Sequence, residues 1–599
     1  MRSFGKHSLT HVLELQQISL TVGHEPHEQT LLREISTQFQ QGHFAAILGP
    51  SGCGKSTLLK VIAGLTEQTQ GGVHWEGRNL AEGEDLEPHE IGYVPQFSIA
   101  YDFLTVWENV EASLQLRVSG LSREELQVRA EHILREVGLD EIADRRVAVL
   151  SGGQKRRLAL ALEMATSPAL LLADEVTSGL DPKAEDEIVR LMKKISEDDR
   201  RIVLFVTHSL RHIDLYDSVL VLYQGCLCYH GPSAHLYHYF NVDNPENLFP
   251  ALATRSAEEW HASWQKYRSS YMPKKEGEEA AEKSETREML AEIFESTLAQ
   301  PMDAPAEKSD AAACHTPGAL GQFTVLLARR WRIFLRDRSQ LILQLALMFG
   351  FPFLVVIFAW DGLPQIQNLN MEAHTNVIQQ LTENTAFLLQ SSKIGSLVSG
   401  LAMFQVVLLT LMGSNNSARE IAGERLIFEK EKFAGVRCAS YIASKACFLA
   451  ALVVAQSVWM AVFVNVICHF PGYLLTQIAL LIMVNGAMTS VCLGISALMK
   501  SPEQASLVSV YLVGFQLPLS GAVLALPKTI DWITRPFIAA YWSWSGTIQT
   551  MRDTRFYDVV QSVTQTHLSL LPLCFWVLAT HILIGVFLAY TGCRQSRWE

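Results

Sequence analysis

A glycine-rich loop near the start of the chain has the residue types and the spacing for holding phosphate. The sequence Gly49-Pro50-Ser51-Gly52-Cys53-Gly54-Lys55-Ser56 follows an apolar strand pattern at 43–48 and precedes a helical pattern at 57–64. Glycines let backbone N–H groups approach phosphate oxygens at a helix N-terminus. Lys55 neutralises the β and γ oxygens of a nucleoside triphosphate, and the Ser56 hydroxyl can bind Mg²⁺. The predicted phosphate-binding residues are Gly49, Pro50, Ser51, Gly52, Cys53, Gly54, Lys55, Ser56 and Thr57.

Two adjacent carboxylates further along the chain could supply hydrolytic chemistry. The apolar run at 169–173 predicts a buried strand, and it ends in Asp174 and Glu175. Asp174 is placed to bind Mg²⁺ directly or through water, and Glu175 to act as the general base that polarises the attacking water. A glutamate at a strand end can also be a cap or a surface charge. Its position beside Asp174, downstream of a phosphate loop, favours the catalytic interpretation.

A third motif narrows the family. Leu150-Ser151-Gly152-Gly153-Gln154 resembles the signature sequence of ATP-binding-cassette (ABC) proteins. Gln96, Ser178-Gly179-Leu180-Asp181 and His208 follow the order of that family's Q-loop, D-loop and switch histidine. The resemblance covers about 12–239 and implies roles for four catalytic residues, namely Glu175, His208, Gln96 and Lys55. It also implies that Ser56, Gln96 and Asp174 hold Mg²⁺, that Asp181 is the D-loop aspartate and that ATP is the nucleotide.

The same resemblance implies a partner chain. In that family the signature loop closes over the ATP of a second subunit, so Ser151 and Gly153 of one chain would face Lys55 and Glu175 of the other. This chain has one copy of each motif and none looks degenerate, which favours a homodimer and leaves a heterodimer open. The position where the family often stacks an aromatic ring on adenine holds Val22, so no adenine-stacking residue is predicted.

The second half of the chain has the pattern of a membrane domain. Charges are frequent up to about Arg338 and sparse afterwards, and a helix needs about 20 apolar residues to cross the hydrocarbon core. The longest charge-free window, 446–499, breaks at Pro471-Gly472 and therefore predicts two spans. Six spans are predicted, at about 339–360, 394–415, 446–468, 473–499, 504–527 and 568–592.

The loops predict orientation and the domain boundaries. Basic residues cluster between the second and third spans, and the positive-inside rule places this loop and both termini in the cytoplasm. The outer segments are then about 361–393 and 528–558. The predicted domains are a cytosolic nucleotide-binding domain at 1–240, a charged linker at 241–321, an amphipathic connecting helix at 322–338 and a membrane domain at 339–599. The fold class is an α/β P-loop ATPase domain of ABC type, with a helical subdomain, followed by an all-α domain of six transmembrane helices.

Composition excludes several other classes. A net charge of −12 and a pI near 5.9 give no basic surface for nucleic acid. The ten cysteines lack the spacing of a zinc site or a disulfide framework. Residues 1–11 contain no apolar region typical of a signal peptide, so no cleaved signal is expected.

The order of the domains and one loop resemble a particular subfamily. An ATPase domain preceding six spans is the arrangement of the G subfamily of ABC half-transporters (the White and multidrug-resistance type), and a bacterial relative is expected because the outer segments lack N-x-[ST] sequons. That resemblance implies a coupling segment that passes closure of the ATPase domain to the spans, although a merely solvated loop is the alternative. The coupling residues are Arg419, Glu420, Glu424, Arg425 and Glu429.

The implied activity is ATP-driven export of hydrophobic or amphipathic molecules, such as lipids, sterol-like or drug-like compounds, across the bilayer by alternating access. The protein would be a multi-pass integral membrane protein, of the inner membrane if bacterial. The alternative is an ABC membrane ATPase that acts mechanically on an extracytoplasmic partner. Polar residues in the predicted spans could line a substrate cavity or join helices by hydrogen bonds. They are Gln344, Gln405, Asn465, Asn485 and Gln516.

Overall fold

The structure, a computed structural model, describes residues 12–23, 28–80, 86–97, 99–271, 316–360, 363, 377–522, 526–564 and 566–596. The chain divides into two compact units. The first is Met1–Pro317 with Phe433–Gly435, and the second is Gly318–Lys432 with Val436–Trp598.

The first unit is built on a mixed β-sheet. Its strands are β1 (Val12–Val22), β2 (Gln29–Gln40), β3 (Phe44–Leu48), β4 (Gln70–Trp75), β5 (Arg78–Asn79), β6 (Ile91–Val94), β7 (Leu170–Asp174), β8 (Ile202–Val206), β9 (Ser218–Tyr223) and β10 (Cys226–Gly231). Their order across the sheet is β5-β4-β1-β2-β10-β9-β3-β8-β7-β6. Strands β9, β3, β8, β7 and β6 are parallel, and the last four of these are buried on both faces, which explains their continuous apolar sequences.

The helices of this unit pack on the sheet and on one another. They are α1 (Lys55–Ile62), α2 (Val106–Arg117), α3 (Arg123–Glu136), α4 (Gly152–Glu163), α5 (Pro182–Asp198), α6 (Ser233–Phe240), α7 (Leu248–Leu252) and α8 (Ala257–Tyr271). Capping boxes at Thr105, Ser122 and Ser151 begin α2, α3 and α4. A buried, two-pronged ion pair between Arg117 and Glu163, at 2.9 and 3.3 Å, joins α2 to α4.

About 30 residues that follow the predicted boundary at residue 240 are folded, and α8 among them packs on the sheet. Trp260 and Trp264 of α8 are buried, and the Trp264 ring lies 5.3 Å from the ring of Tyr229 on β10. The charged residues of this stretch face solvent while its apolar residues recur at helical spacing. Most of the predicted linker, 272–315, lies outside the described residues.

The regular elements in the described residues of the second unit are all helices. Its helices are α9 (Ala319–Arg336), α10 (Arg338–Val356), α11 (Val377–Ser417), α12 (Arg425–Phe433), α13 (Cys438–Cys468), α14 (Leu474–Leu498), α15 (Pro502–Gln516), α16 (Lys528–Thr534), α17 (Ala539–Gln549), α18 (Arg555–Val563) and α19 (Leu571–Gln595). Within the described part of the chain, five helical stretches are long and apolar enough to cross a membrane. They are Arg338–Ala359, Thr385–Phe433, Cys438–Cys468, Leu474–Leu498 and Leu571–Gln595.

The predicted span at 504–527 has no helix of that length. Helix α15 ends at Gln516, and a 3₁₀ turn at Pro518–Ser520 follows it. Proline cannot continue the helical hydrogen-bond ladder, which explains the break. Within the predicted outer segment 528–558, every residue of α17 from Ala539 to Ile548 is buried in the core of this unit.

Amide side chains join the spans. Gln344 of α10, Asn416 of α11 and Gln456 of α13 form a closed ring of hydrogen bonds at 2.8–3.2 Å, and Asn485 of α14 donates to Gln456 at 3.3 Å. All four are buried. Each therefore finds its partners in protein, as amides in an apolar environment require. Interhelical hydrogen bonding, rather than cavity lining, describes Gln344 and Asn485.

Candidate functional site

The sheet brings the separated motifs of the first unit to one edge. Val206 at the end of β8 is paired with Ile47 of β3 on one side and with Asp174 of β7 on the other, and Val94 of β6 pairs with Ala173. The carboxyl ends of parallel strands therefore meet here. The phosphate loop, Asp174 and Glu175, Gln96 and His208 each lie at the end of one of these four strands, so residues far apart in sequence become neighbours.

The phosphate loop has the backbone that its glycines allow. Gly54 has φ +102°, and a Cβ at this position would lie 2.9 Å from the carbonyl oxygen of Leu31. At Gly49 a Cβ would lie 2.3 Å from the carbonyl oxygen of Leu222. Lys55 is buried, and its ammonium donates to the carbonyl oxygens of Gly49 and Pro50, both at 2.9 Å. Backbone acceptors thus hold the lysine within the loop.

The other residues of the phosphate loop differ in their exposure to solvent. Ser51 and Gly52 are exposed, Cys53 is buried, and Ser56 and Thr57 lie in the first turn of α1. Burial raises the pKa of the Cys53 thiol, so this cysteine is a packing residue rather than a thiolate nucleophile.

A hydroxyl–carboxylate pair lies beside the loop. The Ser56 hydroxyl donates to Asp174 Oδ1 at 2.7 Å, and the Tyr93 hydroxyl donates to Oδ2 at 3.2 Å. Burial raises the pKa of the Asp174 carboxyl, the hydrogen bonds from Ser56 and Tyr93 oppose that rise, and the charge of Glu175 adds to it. Because its donor atoms are hydroxyl and carboxylate oxygens, this pair fits a hard divalent cation such as Mg²⁺.

The Glu175 carboxylate contacts two other residues that the sequence predicts to be catalytic, Gln96 and His208. Gln96 Nε2 donates to its Oε2 at 3.0 Å, and His208 Nε2 lies 2.5 Å from its Oε1. Its backbone has φ +47°, a left-handed conformation that is uncommon outside glycine. Strained backbone of this kind is concentrated at functional sites. The two contacts fix the Glu175 carboxylate at the carboxyl edge of the sheet, next to Asp174.

The signature and D-loop residues begin helices elsewhere in the unit. The Ser151 hydroxyl accepts from the Gln154 N–H at 3.3 Å at the start of α4, and Asp181 Oδ1 accepts from the Lys183 and Ala184 N–H groups at the start of α5. Leu150 is buried, whereas Ser151 and Gly152 are exposed. A Cβ on Gly153 would lie 3.4 Å from Ala184 Cβ, so the two helix starts are adjacent.

Comparison with known families agrees with this geometry. Residues 32–178 match the family described as ABC transporter, and residues 321–541 match the family described as ABC-2 type transporter. The chain joins an ATP-binding cassette to an ABC-2 type membrane domain. The cassette is homologous to the ATPase domains of transporters, which confirms the predicted ATPase class.

Individual relatives show the same two-part organisation or the cassette alone. An ABC transporter ATP-binding/permease protein of Mycobacterium tuberculosis is 29% identical over 545 residues, which are 88% of this chain and 56% of that protein. The chain thus spans little more than half the length of this relative. The sulfate/thiosulfate import ATP-binding protein CysA of Pseudomonas syringae is 34% identical over 36% of this chain and 66% of its own length. A solved dimeric, post-hydrolysis ATP-binding cassette bound to ADP and Pi is 31% identical over 37% of this chain and 98% of its own, with a TM-score of 0.34.

In the ABC-2 type domain, four of the five predicted coupling residues take part in ion pairs or hydrogen bonds. Glu420 is buried and accepts from Arg330 at 2.5 and 2.7 Å and from Lys445 at 3.0 Å. Lys445 also donates to Glu424 at 2.6 Å. Arg425 donates to Glu429 at 2.8 Å. Arg419, the fifth, is exposed. A merely solvated loop does not describe this segment.

Sequence reasoning missed several partners. In the sequence, Arg330 and Lys445 could be identified only as basic residues near the membrane. In the structure both are buried against Glu420. A cation between apolar helical residues is the signal that could have indicated a buried acidic partner. In the cassette, the sequence identifies Tyr93 only as a neighbour of Gln96, although the strand of Tyr93 lies beside that of Asp174.

Val22 occupies the position where the family often has an adenine-stacking aromatic residue. It is 40% exposed at the end of β1.

Proposed function

We propose that this chain is one half of an ATP-hydrolysing transporter that pairs with a second copy and exports hydrophobic or amphipathic molecules across a lipid bilayer. The observation that carries the proposal is the position of Glu175, held by Gln96 and His208 beside the Ser56–Asp174 pair, in a chain whose second domain is of ABC-2 type. Because this cassette is joined to five helices that are long and apolar enough to cross a membrane, we expect hydrolysis to move those helices.

The residues of the cassette divide the work of hydrolysis among them. Lys55, bonded here to two loop carbonyls, would donate to the phosphate oxygens of ATP, and the helix N-terminus behind it adds positive potential. Ser56, Asp174 and Gln96 would hold Mg²⁺, which when bound neutralises charge on the phosphate oxygens. Glu175 would accept a proton from the attacking water, and His208 would hold the carboxylate and contact the γ-phosphate.

A second copy completes the site in this proposal. Ser151 and Gly152 are exposed at the N-terminus of α4, where backbone N–H groups can bind phosphate. Together with Gly153 and Gln154 they would close over the ATP of the partner, and Asp181 at the adjacent helix start would follow that closure. Because every motif of the chain keeps its functional residue types, a homodimer with two working sites is the simplest assembly.

The membrane domain completes the cycle. We propose that the protein lies in the inner membrane if the source is bacterial and that both of its termini are in the cytoplasm. Termini on the same side require an even number of membrane crossings. The sixth crossing would be made by α15, whose 15 residues are followed by non-helical chain that can cross only where protein covers it. Closure of the cassettes, passed on through Arg419–Glu429, would convert an inward-facing cavity into an outward-facing one. The order of the domains makes the G subfamily the family branch that we propose.

ATP-dependent uptake into inside-out vesicles tests the whole proposal. A panel of fluorescent lipids and amphipathic dyes would be compared between the wild type, Glu175→Gln and the matched control Glu246→Gln, which makes the same chemical change at an exposed position. We expect accumulation with the wild type and the control and none with Glu175→Gln. Hydrolysis without accumulation of any probe would contradict export of this class and favour a mechanical role on an external partner.

A further inference from the structure

Helix α12 of the membrane domain carries three charged residues of alternating sign on one face. Arg425, Glu429 and Lys432 are four and three residues apart, and this spacing brings side chains to the same side of a helix. Two of them are among the predicted coupling residues. Lys432 is not one of them, because in the sequence its positive charge indicates only that the loop lies on the cytoplasmic side of the membrane. All three side chains reach the carboxyl ends of other helices.

Lys432 binds the end of the last membrane helix. Its ammonium donates to the carbonyl oxygens of Cys593, Arg594 and Ser596 at 3.0, 2.8 and 2.8 Å. A lysine has three N–H donors, so all of them are used. The last carbonyls of a helix have no partners within it and carry the negative end of its dipole, which makes them the acceptors that a cation stabilises. Lys432 therefore caps the carboxyl end of α19.

The other two residues extend the same contact to a second helix. Arg425 Nη1 donates to the carbonyl oxygen of Met499, the residue that caps α14, at 2.9 Å. Its Nε donates to Glu429, and Glu429 accepts in turn from the Ser596 hydroxyl just beyond α19. One face of α12 therefore holds the carboxyl ends of α14 and α19 together.

These two helices pack against each other without room for side chains between them. A Cβ on Gly585 of α19 would lie 2.3 Å from the backbone carbon of Ser490 on α14. A Cβ on Gly592 would lie 2.9 Å from Ala497, and one on Gly494 would lie 2.9 Å from the carbonyl oxygen of Gly585. Because the two backbones are in direct contact over about two turns, we expect the pair to move as one body.

We propose that Lys432 is a positioning residue for coupling, which fixes the end of the α14–α19 pair to α12 so that the pair follows any displacement of α12. This inference rests on the proposed function, in which the segment containing α12 receives the ATP-driven motion. It identifies two membrane helices, α14 and α19, that this motion would reach in addition to α11, which forms one helical stretch with α12 at Thr385–Phe433. It also extends the coupling set beyond the acidic and arginine residues that the sequence indicated.

Hydrogen exchange of the full-length protein in lipid nanodiscs tests this inference. The measured quantity is the difference that ATP and Mg²⁺ make to the exchange rate of the α19 amides between residues 589 and 595, in a Glu175→Gln background that retains nucleotide. We expect at least about a threefold change in the parent, reduced to less than about 1.5-fold in Lys432→Met. Lys432→Arg, which keeps the charge and several donors, should restore most of the change.

Two controls separate coupling from simple loss of structure. Lys393→Met makes the same substitution at an exposed lysine of α11 and should leave the ATP-driven change intact. ATP affinity should stay within about threefold of the parent in all variants, because Lys432 lies outside the cassette and only the lost coupling can change it. An unchanged ATP response in Lys432→Met would overturn the assignment of Lys432 even if α19 frayed without nucleotide. A parent in which ATP alters exchange in the cassette and nowhere in the membrane domain would instead refute the proposed function, and this inference with it.

Discussion

Replacing Glu175 by glutamine isolates one chemical step of the proposed hydrolysis. The amide has the size and shape of the carboxylate, so its carbonyl oxygen can still accept from Gln96 Nε2, as Glu175 does at 3.0 Å. The backbone at φ +47° is common to both residues, so the local strain is the same before and after the change. What disappears is the ability to take a proton from water, together with the contact between Oε1 and His208 Nε2, since one oxygen becomes an NH2 group. Glu175→Gln therefore tests the base and this contact together, and kcat and Kd have to be measured separately.

The expected size of the effect follows from that role. A positioned general base contributes about 10²–10⁴ to a rate, which corresponds to about 2.7–5.4 kcal/mol of transition-state stabilisation. Nucleotide binding should change far less, because the phosphate contacts belong to Lys55, Ser56 and the loop backbone. We therefore expect kcat to fall at least about a hundredfold while the Kd for ATP stays within about threefold of the wild type.

Two measurements decide the matter. Phosphate release under saturating ATP and Mg²⁺ gives kcat, and equilibrium binding of a fluorescent ATP analogue gives Kd, for the wild type, Glu175→Gln and Glu246→Gln. A decrease in kcat of less than about tenfold would show that Glu175 is not the base. A normal kcat at saturation combined with a large rise in Kd would show that its contacts with Gln96 and His208 serve nucleotide binding instead.

Three further predictions concern other parts of the molecule. Gly54→Ala should weaken ATP binding at least about tenfold in the same assay, because the new Cβ would lie 2.9 Å from the Leu31 carbonyl oxygen at a φ of +102°. Gly585→Ala should lower the Tm of the membrane domain in nanodiscs, whereas Gly350→Ala, where a Cβ meets nothing within 4 Å, should leave it unchanged. Burial lowers the pKa of His230 to about 3. Below about pH 6.5, His230 therefore binds a proton in the unfolded chain but stays neutral in the folded cassette. The contribution of His230 is fully present above that pH and should fall by about 1.4 kcal/mol at pH 5.5, seen as a Tm decrease that is smaller in His230→Gln.

The nucleotide site could be predicted residue by residue because its geometry follows from local rules. Each motif lies at the end of a strand, and parallel strands of one sheet end at one edge, so adjacency in space is set by the sheet order. What the motifs could not indicate was the present set of partners, such as the Tyr93 hydroxyl on Asp174. That contact depends on the register of β6 against β7, which no spacing in the sequence encodes.

The membrane domain was predictable in outline only. Apolar length identified five of the helices, but the window at 504–527 is equally free of charge and does not form a helix of spanning length. Hydropathy measures how well a segment tolerates lipid, whereas Pro518 and Gly521 decide whether its backbone can stay helical. Helix α17 lies in the predicted outer segment 528–558, and the charges flanking it gave no indication that it packs in the core of this unit.

The polar residues of this domain were the hardest to interpret, and the reason is physical. Gln344, Asn416 and Gln456 are separated by 72 and 40 residues in sequence, yet they satisfy one another in a single ring. Lys432 and the Arg594 carbonyl oxygen are 162 residues apart. In an apolar environment a polar group must find a partner, but the sequence carries no information about which one.

Helix ends are the exception, because their unpaired carbonyls are obligatory acceptors wherever a helix stops. On α12, Arg425 and Lys432 lie two turns apart on one face, and each donates to carbonyl oxygens at the end of a different long helix. Neither cation could be matched to its helix from spacing, but the number of acceptors is fixed by the number of helix ends. Two cations seven residues apart on one helix face therefore indicate that two neighbouring helices end against that face. The sequence does not indicate which two helices these are.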